Sequence, residues 1–361
     1  MNNKKLLILE LNDLIHQKNY QKAVLLAAEL VKSFPDEPAI FATAGIALAM
    51  LGRHDTALKY FFHTVTLQPL HAGANVWIAR LIADRPDPEK QLQIFRKWES
   101  ILKRTLNLKN LQKKLFSHYR RESDADFWRV VSIFSRMYME INRTKDALDS
   151  FYCAVKRISN KPTKAADPAT IDDEYASYDY DKDPMHTRTA DDFSKFVSKN
   201  LVNCSNLTIL DAACGSGLAA RYLRPFAKTL LGFDISKSMS IRAKKKKLYD
   251  AVSIGDIRKK NIICDNADVV HCLGATYYIS DLQPFFSACS SVMKPGSFLL
   301  FTDYPSPPEI AMGQTISPTT RYCRSDQLTI ATAKKNGFSL NKRSYGLVYG
   351  IPSHYWSFQR S

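Results

Sequence analysis

The sequence predicts an α + α/β chain in two parts, a helical repeat array followed by a parallel-sheet domain with helices on both faces. Three observations predict this. At 361 residues the chain exceeds one ordinary hydrophobic core. Proline recurs at Pro35 and Pro69 and alanine at Ala23 and Ala57, both at an interval of 34 residues. From Ile171 onward, short apolar runs alternate with helical stretches, the rhythm of strand–helix–strand units.

The interval of 34 is the period of tetratricopeptide repeats, whose unit is a helix–turn–helix. In the first unit Tyr20, Ala23, Ala27 and Pro35 take the expected offsets; in the second, Phe41, Ala44, Gly45, Gly52, Ala57, Phe61 and Pro69 do. Small residues there let paired helices cross closely, and proline ends the second helix because it cannot continue the hydrogen-bond ladder. A weaker unit is expected from Trp128 through Tyr138, Ala147, Phe151 and Ala154. The stretch between, such as Gln91 to Leu106, should be helical but irregularly packed. This gives a repeat domain over 1–160 and a polar, proline-flanked linker over 161–170, with the second domain over 171–361.

Composition narrows the function classes. Hydrophobic residues make up 45% and charged residues 24%, as in globular proteins. No run of ~18 apolar residues exists to span a membrane, and Glu10 and Asp13 interrupt the apolar N-terminus, which argues against a signal peptide. Seven scattered cysteines without a Cys-x-x-Cys pair read as reduced thiols of a cytoplasmic protein and give no support to a metal site. Of the net charge of +16, +11 falls in residues 1–165, concentrated between Lys97 and Arg121. A surface of that kind attracts nucleic acid or acidic partners, or is simply a solvated helical face.

In the second domain, strands are predicted at Thr208–Leu210, Thr229–Phe233, Val252–Ile254, Ala267–Cys272 and Ser297–Thr302. Helices are predicted at Thr189–Lys199, Gly217–Phe226, Ser236–Tyr249 and Leu282–Met293. The runs Tyr345–Tyr349 and Tyr355–Gln359, joined across Gly350 to His354, read as a terminal antiparallel hairpin. The chemistry gathers at Asp211-Ala212-Ala213-Cys214-Gly215-Ser216-Gly217 and at Asp234, 17 residues after Gly217. A strand ending in an acid, a small-residue loop and a second strand ending in an acid suit a nucleoside-bearing ligand at the carboxyl ends of neighbouring parallel strands. Cys214 reads as a small buried hydrophobe. The run Lys244 to Lys247 reads as a solvated face.

These residues resemble the class I S-adenosylmethionine-dependent methyltransferases, which have a Rossmann-like seven-stranded sheet ending in such a hairpin. More closely, the whole chain resembles the bacterial methyltransferases that carry tetratricopeptide repeats ahead of the catalytic domain. The resemblance implies that S-adenosylmethionine is the cofactor and that no metal is needed. It gives cofactor contacts to Asp211, Ala213, Gly215, Ser216 and Gly217, although the family usually has glycine at Ala213. It gives the ribose to Asp234 with Ile235 beside it, and the adenine to Asp256, through its exocyclic amine, and Ile257. Leu273 closes the fourth-strand motif, where sulfonium and acceptor meet. The segment holding Tyr175, Tyr178 and Arg188 is implied to fold as a lid, with Tyr178 and Arg188 on the cofactor.

Catalytic candidates are Tyr277, Tyr278 and His271, the last in a strand and open to reading as a core histidine. Substrate candidates are Arg321, Tyr322 and His354. The segment Thr320 to Ser325 departs from the group's Gly-Arg-Tyr-x-His-Ser, with Thr320 for the glycine and Arg324 for the histidine. The loop after the fourth strand lacks an Asn/Asp-Pro-Pro-aromatic signature, which argues against the amino group of a DNA base as acceptor. The acceptor is then an O, N or S nucleophile of a small molecule, or of a peptide or protein recruited by the repeats. The alternatives are a non-catalytic scaffold that senses the cofactor and an RNA methyltransferase using the basic surface.

Overall fold

Proline and glycine punctuation sets the helix boundaries of the N-terminal part in the computed structural model, which describes residues 3–105, 124–158, 180–259, 262, 264–310, 314–316 and 321–361. Helices α1 (Asn3–His16), α2 (Tyr20–Ser33), α3 (Pro38–Met50), α4 (His54–Leu67), α5 (Ala72–Ala83) and α6 (Pro88–Thr105) follow in order. Two of them, α2 and α4, end two residues before Pro35 and Pro69, because the residue preceding a proline avoids the helical region. Gly52, at a φ of +74°, turns the chain between α3 and α4. Helix α3 passes close to α4 at Gly45, where a Cβ would lie 2.6 Å from the Phe61 ring. Ala23, Ala27, Ala44 and Ala57 are buried, as their small size at the crossings requires. Further along, buried Trp98 donates its indole N–H to Asn75 Oδ1 at 2.7 Å and packs edge-on against Phe134.

The chain divides into two compact units, Met1–Met137 and Tyr138–Ser361, rather than at residue 160. Helix α7 (Asp124–Glu140) crosses the division, and α8 (Thr144–Ile158) belongs to the second unit. The expected third repeat is therefore split. Phe151 of α8 is buried edge-on against Tyr304 of the sheet, 6.2 Å between ring centres. The linker expected at 161–170 lies outside the described residues.

The second unit is a Rossmann-like mixed sheet. Its strands are β1 (Leu207–Ala212), β2 (Ala227–Asp234), β3 (Ala251–Ile254), β4 (Ala267–Cys272), β5 (Met293–Pro305), β6 (Gln314–Ile316), β7 (Tyr322–Arg324), β8 (Phe338–Val348) and β9 (Ile351–Arg360). Seven of them run in the order β3-β2-β1-β4-β5-β9-β8, parallel through β5, with β9 antiparallel to both neighbours. Two short strands absent from the sequence expectation extend the carboxyl end of β5. There β7 pairs with Tyr304 and Pro305, and β6 pairs with β7.

Helices α9 (Pro184–Asn200), α10 (Ala220–Leu223), α11 (Lys237–Lys245), α12 (Gln283–Val292) and α13 (Asp326–Lys335) complete the unit. Both faces of β9 are covered. Tyr355 packs against Phe193 and Phe196 of α9, while Phe358 on the opposite face meets Phe286 of α12. That two-sided burial explains the nearly continuous apolar and aromatic run of β9.

The hairpin turn is shorter than expected. Val348 pairs with Ile351, so Tyr349 and Gly350 alone form the turn, at φ of +50° and +76°. Two positive-φ residues match the right-handed strand twist. His354, expected in a loop, lies instead inside β9 and is buried. Helix α10 is also shorter than the predicted Gly217–Phe226. It starts at Ala220 and passes into a 3₁₀ turn over Arg224–Phe226.

Candidate functional site

A cavity of about 230 Å³ opens over the carboxyl ends of β1, β2 and β4. Its floor is the loop that leaves β1. Ala213, Gly215 and Gly217 there take φ of +60°, +54° and +82°, so the chain winds through the left-handed region at alternate residues. Gly217 supports the loop from behind, where a Cβ would press on Tyr249 and Ala243. Ala213 holds a conformation that costs an L-residue about 1–2 kcal/mol, which accounts for glycine at this place in the resembling family. Ala213→Gly is expected to raise stability by up to about 1 kcal/mol once the looser unfolded chain is allowed for. The check is a higher urea midpoint at unchanged slope.

Asp234 ends β2 and fixes the loop. Its Oδ2 accepts the Gly215 N–H at 2.7 Å and its Oδ1 accepts the Ser236 N–H at 2.8 Å. Asp234, Ala213, Gly215 and Ser216 all line the cavity, as do Ile235, Asp256, Ile257 and Leu273. Cys214 is buried, and burial pushes its thiol well up. The loop is also tied from outside. Ser216 Oγ donates to Asp181 Oδ1 at 2.6 Å, and Lys246 Nζ reaches the same oxygen at 2.8 Å. Lys246 thus leaves the solvated face expected for 244–247.

Asp211, at the end of β1, lines the cavity but is committed within the protein. It accepts from Tyr249 Oη at 2.5 Å, and its other oxygen lies 2.7 Å from His271 Nδ1. The pairing follows from register, since Asp211 and His271 stand opposite each other on parallel β1 and β4. His271 is buried against Phe193, outside the cavity lining, the surroundings of a core histidine.

Other sequence candidates separate in the same way. Tyr278 lines the cavity, whereas Tyr277 is buried beneath it, stacked on Tyr304 at 4.3 Å. Arg321 is outside the lining but donates to Tyr278 Oη at 3.0 Å, with its guanidinium 4.0 Å from the ring centre. Tyr322 is half-buried on β7, off the cavity. Arg188 pairs with Glu140 at 2.5 Å and Asp192 at 3.6 Å, away from the lining. Tyr175 and Tyr178 lie outside the described residues.

His354 also falls away from the cavity. Burial lowers its pKa to about 3, with Asp303 opposing and Arg343 adding to the shift. Its Nε2 sits 2.9 Å from Asp326 Oδ1, but without the alignment of a hydrogen bond.

Sequence reasoning missed an aromatic wall. Tyr180, His186 and Tyr349 line the cavity, with the His186 ring 4.5 Å from Tyr180 and 4.4 Å from Tyr349. Gly274 lets Tyr349 close in, since a Cβ there would lie 2.6 Å from the phenol oxygen. Burial lowers the His186 pKa against the pull of Asp183, 3.3 Å away, so the imidazole is neutral near pH 7. Arg258, two residues after Asp256, was missed as well and lines the cavity. Among the described residues, no cluster of side chains is arranged to hold a metal ion, and no helix is long and apolar enough to cross a membrane.

Residues 210–301 match the methyltransferase domain family. An uncharacterized methyltransferase of Schizosaccharomyces pombe is 27% identical over 179 residues, covering 46% of this chain and 62% of that protein. A malonyl-(acyl-carrier protein) O-methyltransferase of Yersinia pestis is 26% identical over 98 residues, covering 27% of this chain and 37% of that protein. The chain thus spans less than two thirds of the length of either relative. Among solved structures, the magnesium protoporphyrin IX methyltransferase of Synechocystis with bound S-adenosylmethionine superposes with a TM-score of 0.43. It has 18% identity and covers 55% of this chain and 100% of that one. An S-adenosylmethionine-dependent methyltransferase of Clostridium acetobutylicum gives 0.39 at 17% identity, covering 53% and 96%. The family likeness is thus to a methyltransferase domain and extends over residues 210–301.

Proposed function

We propose that the chain transfers the methyl group of S-adenosylmethionine to an O, N or S nucleophile, carried by a small molecule or by a peptide or protein recruited by tetratricopeptide-type repeats. The observation that carries this reading is the joining of the left-handed 213–217 loop to Asp234 at the mouth of one cavity. The residues present fit the cofactor. Asp234 lines the cavity at the end of β2, where its carboxylate oxygens are acceptors of the kind ribose hydroxyls need. Half-exposed Ile235 and buried Ile257 offer apolar surface to the base, and the 213–216 backbone is open to the amino-acid end.

When bound, S-adenosylmethionine supplies an electrophilic methyl group. The protein's part is to exclude water and hold the acceptor in line, and alignment of that kind is worth roughly 7–11 kcal/mol. Tyr278, Tyr349 and Gly274 wall the cavity beyond β4. An acceptor that is already anionic needs no base. For one that carries a proton, His186 is a lining group of a type able to receive it. The relative from Yersinia is named for an acyl group on a carrier protein; a protein-borne acceptor of that sort would give a recruiting array a purpose. Support for the array comes from the 34-residue interval and the tight crossing at Gly45 and Phe61.

The test is incubation of the full chain with methyl-labelled cofactor and a cell extract, with protein and small-molecule label separated. Label in one fraction, lost with Asp234→Ala, is the expected result. Absence of both label transfer and S-adenosylhomocysteine binding overturns the proposal.

A further inference from the structure

Phe151 takes the place in the expected third repeat that Phe61 takes in the second, yet it serves the sheet. It is buried on α8, and its ring meets that of Tyr304 edge-on, 6.2 Å between centres at 73°. Tyr304 stacks in turn on Tyr277, at 4.3 Å and 22°, and Tyr277 lies 5.0 Å from Tyr278, the ring that lines the cavity. All four belong to the unit Tyr138–Ser361. Tyr349, another lining residue, is tied to the same stack: burial raises its phenol pKa, and a hydrogen bond from Tyr277 acts against that rise. Ring contacts thus run in series from α8 to the cavity, at separations where aromatic pairs attract.

The stack matters because Tyr277 and Tyr278 stand outside the sheet, on a 3₁₀ turn of three residues, Thr276–Tyr278. So short a turn has poor hydrogen-bond geometry of its own. Its first residue is anchored, since Thr276 donates to the Thr302 carbonyl at 2.6 Å and to Asp303 at 3.0 Å. Arg321 holds the Tyr278 hydroxyl. Between those anchors Tyr277 rests on Tyr304. Asp303 is the last residue of β5 paired with β9, and Tyr304, one position further, pairs only with Cys323 of the three-residue β7. There α8 takes over from the sheet. Besides Phe151 it brings Tyr152, buried near Tyr345 and Cys323, and Lys156, which reaches Glu309 at 2.5 Å.

We infer that Phe151 is a positioning residue of the cavity: through Tyr304 and Tyr277 it sets the wall made by Tyr278 and Tyr349, so the site is complete only with α8. The consequence for catalysis rests on the proposed reading of the cavity; the consequence for the wall does not.

Two measurements on the full chain test this. With 3-fluorotyrosine at position 278, the fluorine resonance should move or broaden in Phe151→Ala, because the root of the stack is gone. It should be unchanged in Phe338→Leu, which trims a buried ring of the same unit that packs on Phe286 and lies outside the stack. In the unlabelled chain, Phe151→Ala should bind S-adenosylhomocysteine within about threefold of wild type, since the stack shares no partner with the Asp234 loop. Its transfer of labelled methyl should fall by about tenfold or more, as misplacement near 1 Å can cost about 100-fold. Phe151→Leu, which refills most of the volume without a ring, should recover part of the transfer. Thermal melting checks the fold, and Phe151→Leu is read in place of the alanine variant if that one is unfolded.

Equal fluorine resonances in wild type and Phe151→Ala overturn the inference, as does an equal displacement in Phe338→Leu. Wild-type transfer in Phe151→Ala also overturns it, and so does a loss of transfer matched by an equal loss of S-adenosylhomocysteine binding. Failure of the wild type to bind that probe overturns the methyltransferase reading instead, and the fluorine result then decides the inference by itself.

Discussion

Asp234→Ala is expected to weaken S-adenosylhomocysteine binding by at least about 100-fold, close to 3 kcal/mol at about 1.4 kcal/mol per tenfold. Two losses combine. The carboxylate proposed to accept from the ribose goes, and a hydrogen bond to a charged group contributes roughly 1.5–3 kcal/mol. The Gly215 and Ser236 N–H groups also lose their acceptor, so the left-handed loop is no longer held in its binding shape. Asp234→Asn should rescue little, because both oxygens accept from N–H donors. An amide presents one N–H group of its own to Gly215 or Ser236, and two donors then face each other. A loss with asparagine of at least about 30-fold separates this double-acceptor role from a purely electrostatic one. Calorimetry gives the affinities. A variant that binds within a few fold of wild type would remove Asp234 from the site.

Much of the sheet was legible because its signals are local. Each of β1 to β5 is a short apolar run followed by turn or helix signals, and Asp211, Gly215, Gly217 and Asp234 stand at strand ends where small residues and acids are visible in a single sequence. The hairpin was misplaced for an equally local reason. Its turn is Tyr349-Gly350, and tyrosine is a poor indicator of a positive φ, whereas Gly350-Ile351-Pro352-Ser353-His354 reads like a loop. That error carried His354 out of the core on paper, when burial holds it neutral inside β9.

The partners of Asp211 illustrate what a single sequence withholds. His271 is 60 positions away and meets Asp211 only through the register of β1 against β4. Helix α8 shows a different limit. An amphipathic helix presents the same apolar period whichever core receives it, so the spacing of Ala147, Phe151 and Ala154 could not distinguish a third repeat from packing on Tyr304. The ion pair of Arg258 with Asp256 was open to reading in principle, being two residues long, but the assignment implied by resemblance left it no role.

Asp303→Ala is expected to destabilise the second unit by about 3–5 kcal/mol, the usual result of stranding one charge of a buried pair. Asp303 and Arg324 are both buried, with Arg324 Nη1 at 2.9 and 3.0 Å from the two carboxylate oxygens. Arg324 stands where the resembling group has histidine. Its guanidinium also reaches the Thr276 carbonyl at 3.3 Å, and Thr276 Oγ1 donates to Asp303 at 3.0 Å. The pair therefore braces the 3₁₀ turn Thr276–Tyr278 that sets Tyr278 against the cavity.

Removal of the two partners should be unequal. In Arg324→Met the carboxylate keeps a share of the Thr276 hydroxyl, which also donates to the Thr302 carbonyl at 2.6 Å, whereas in Asp303→Ala the guanidinium keeps, among the described residues, one carbonyl acceptor and the Tyr322 ring 5.6 Å away. The aspartate variant should therefore be the less stable of the two in urea denaturation. Replacing both, as Asp303→Leu with Arg324→Met, should recover most of the loss, because burying two charges has a large desolvation cost and apolar residues of similar size are often neutral in exchange. Arg324 Nη2 adds to that cost, having no hydrogen-bond partner among the described residues. If the doubly apolar chain is as unstable as Asp303→Ala, the bracing of the Thr276 turn, rather than charge burial, dominates the energetics here.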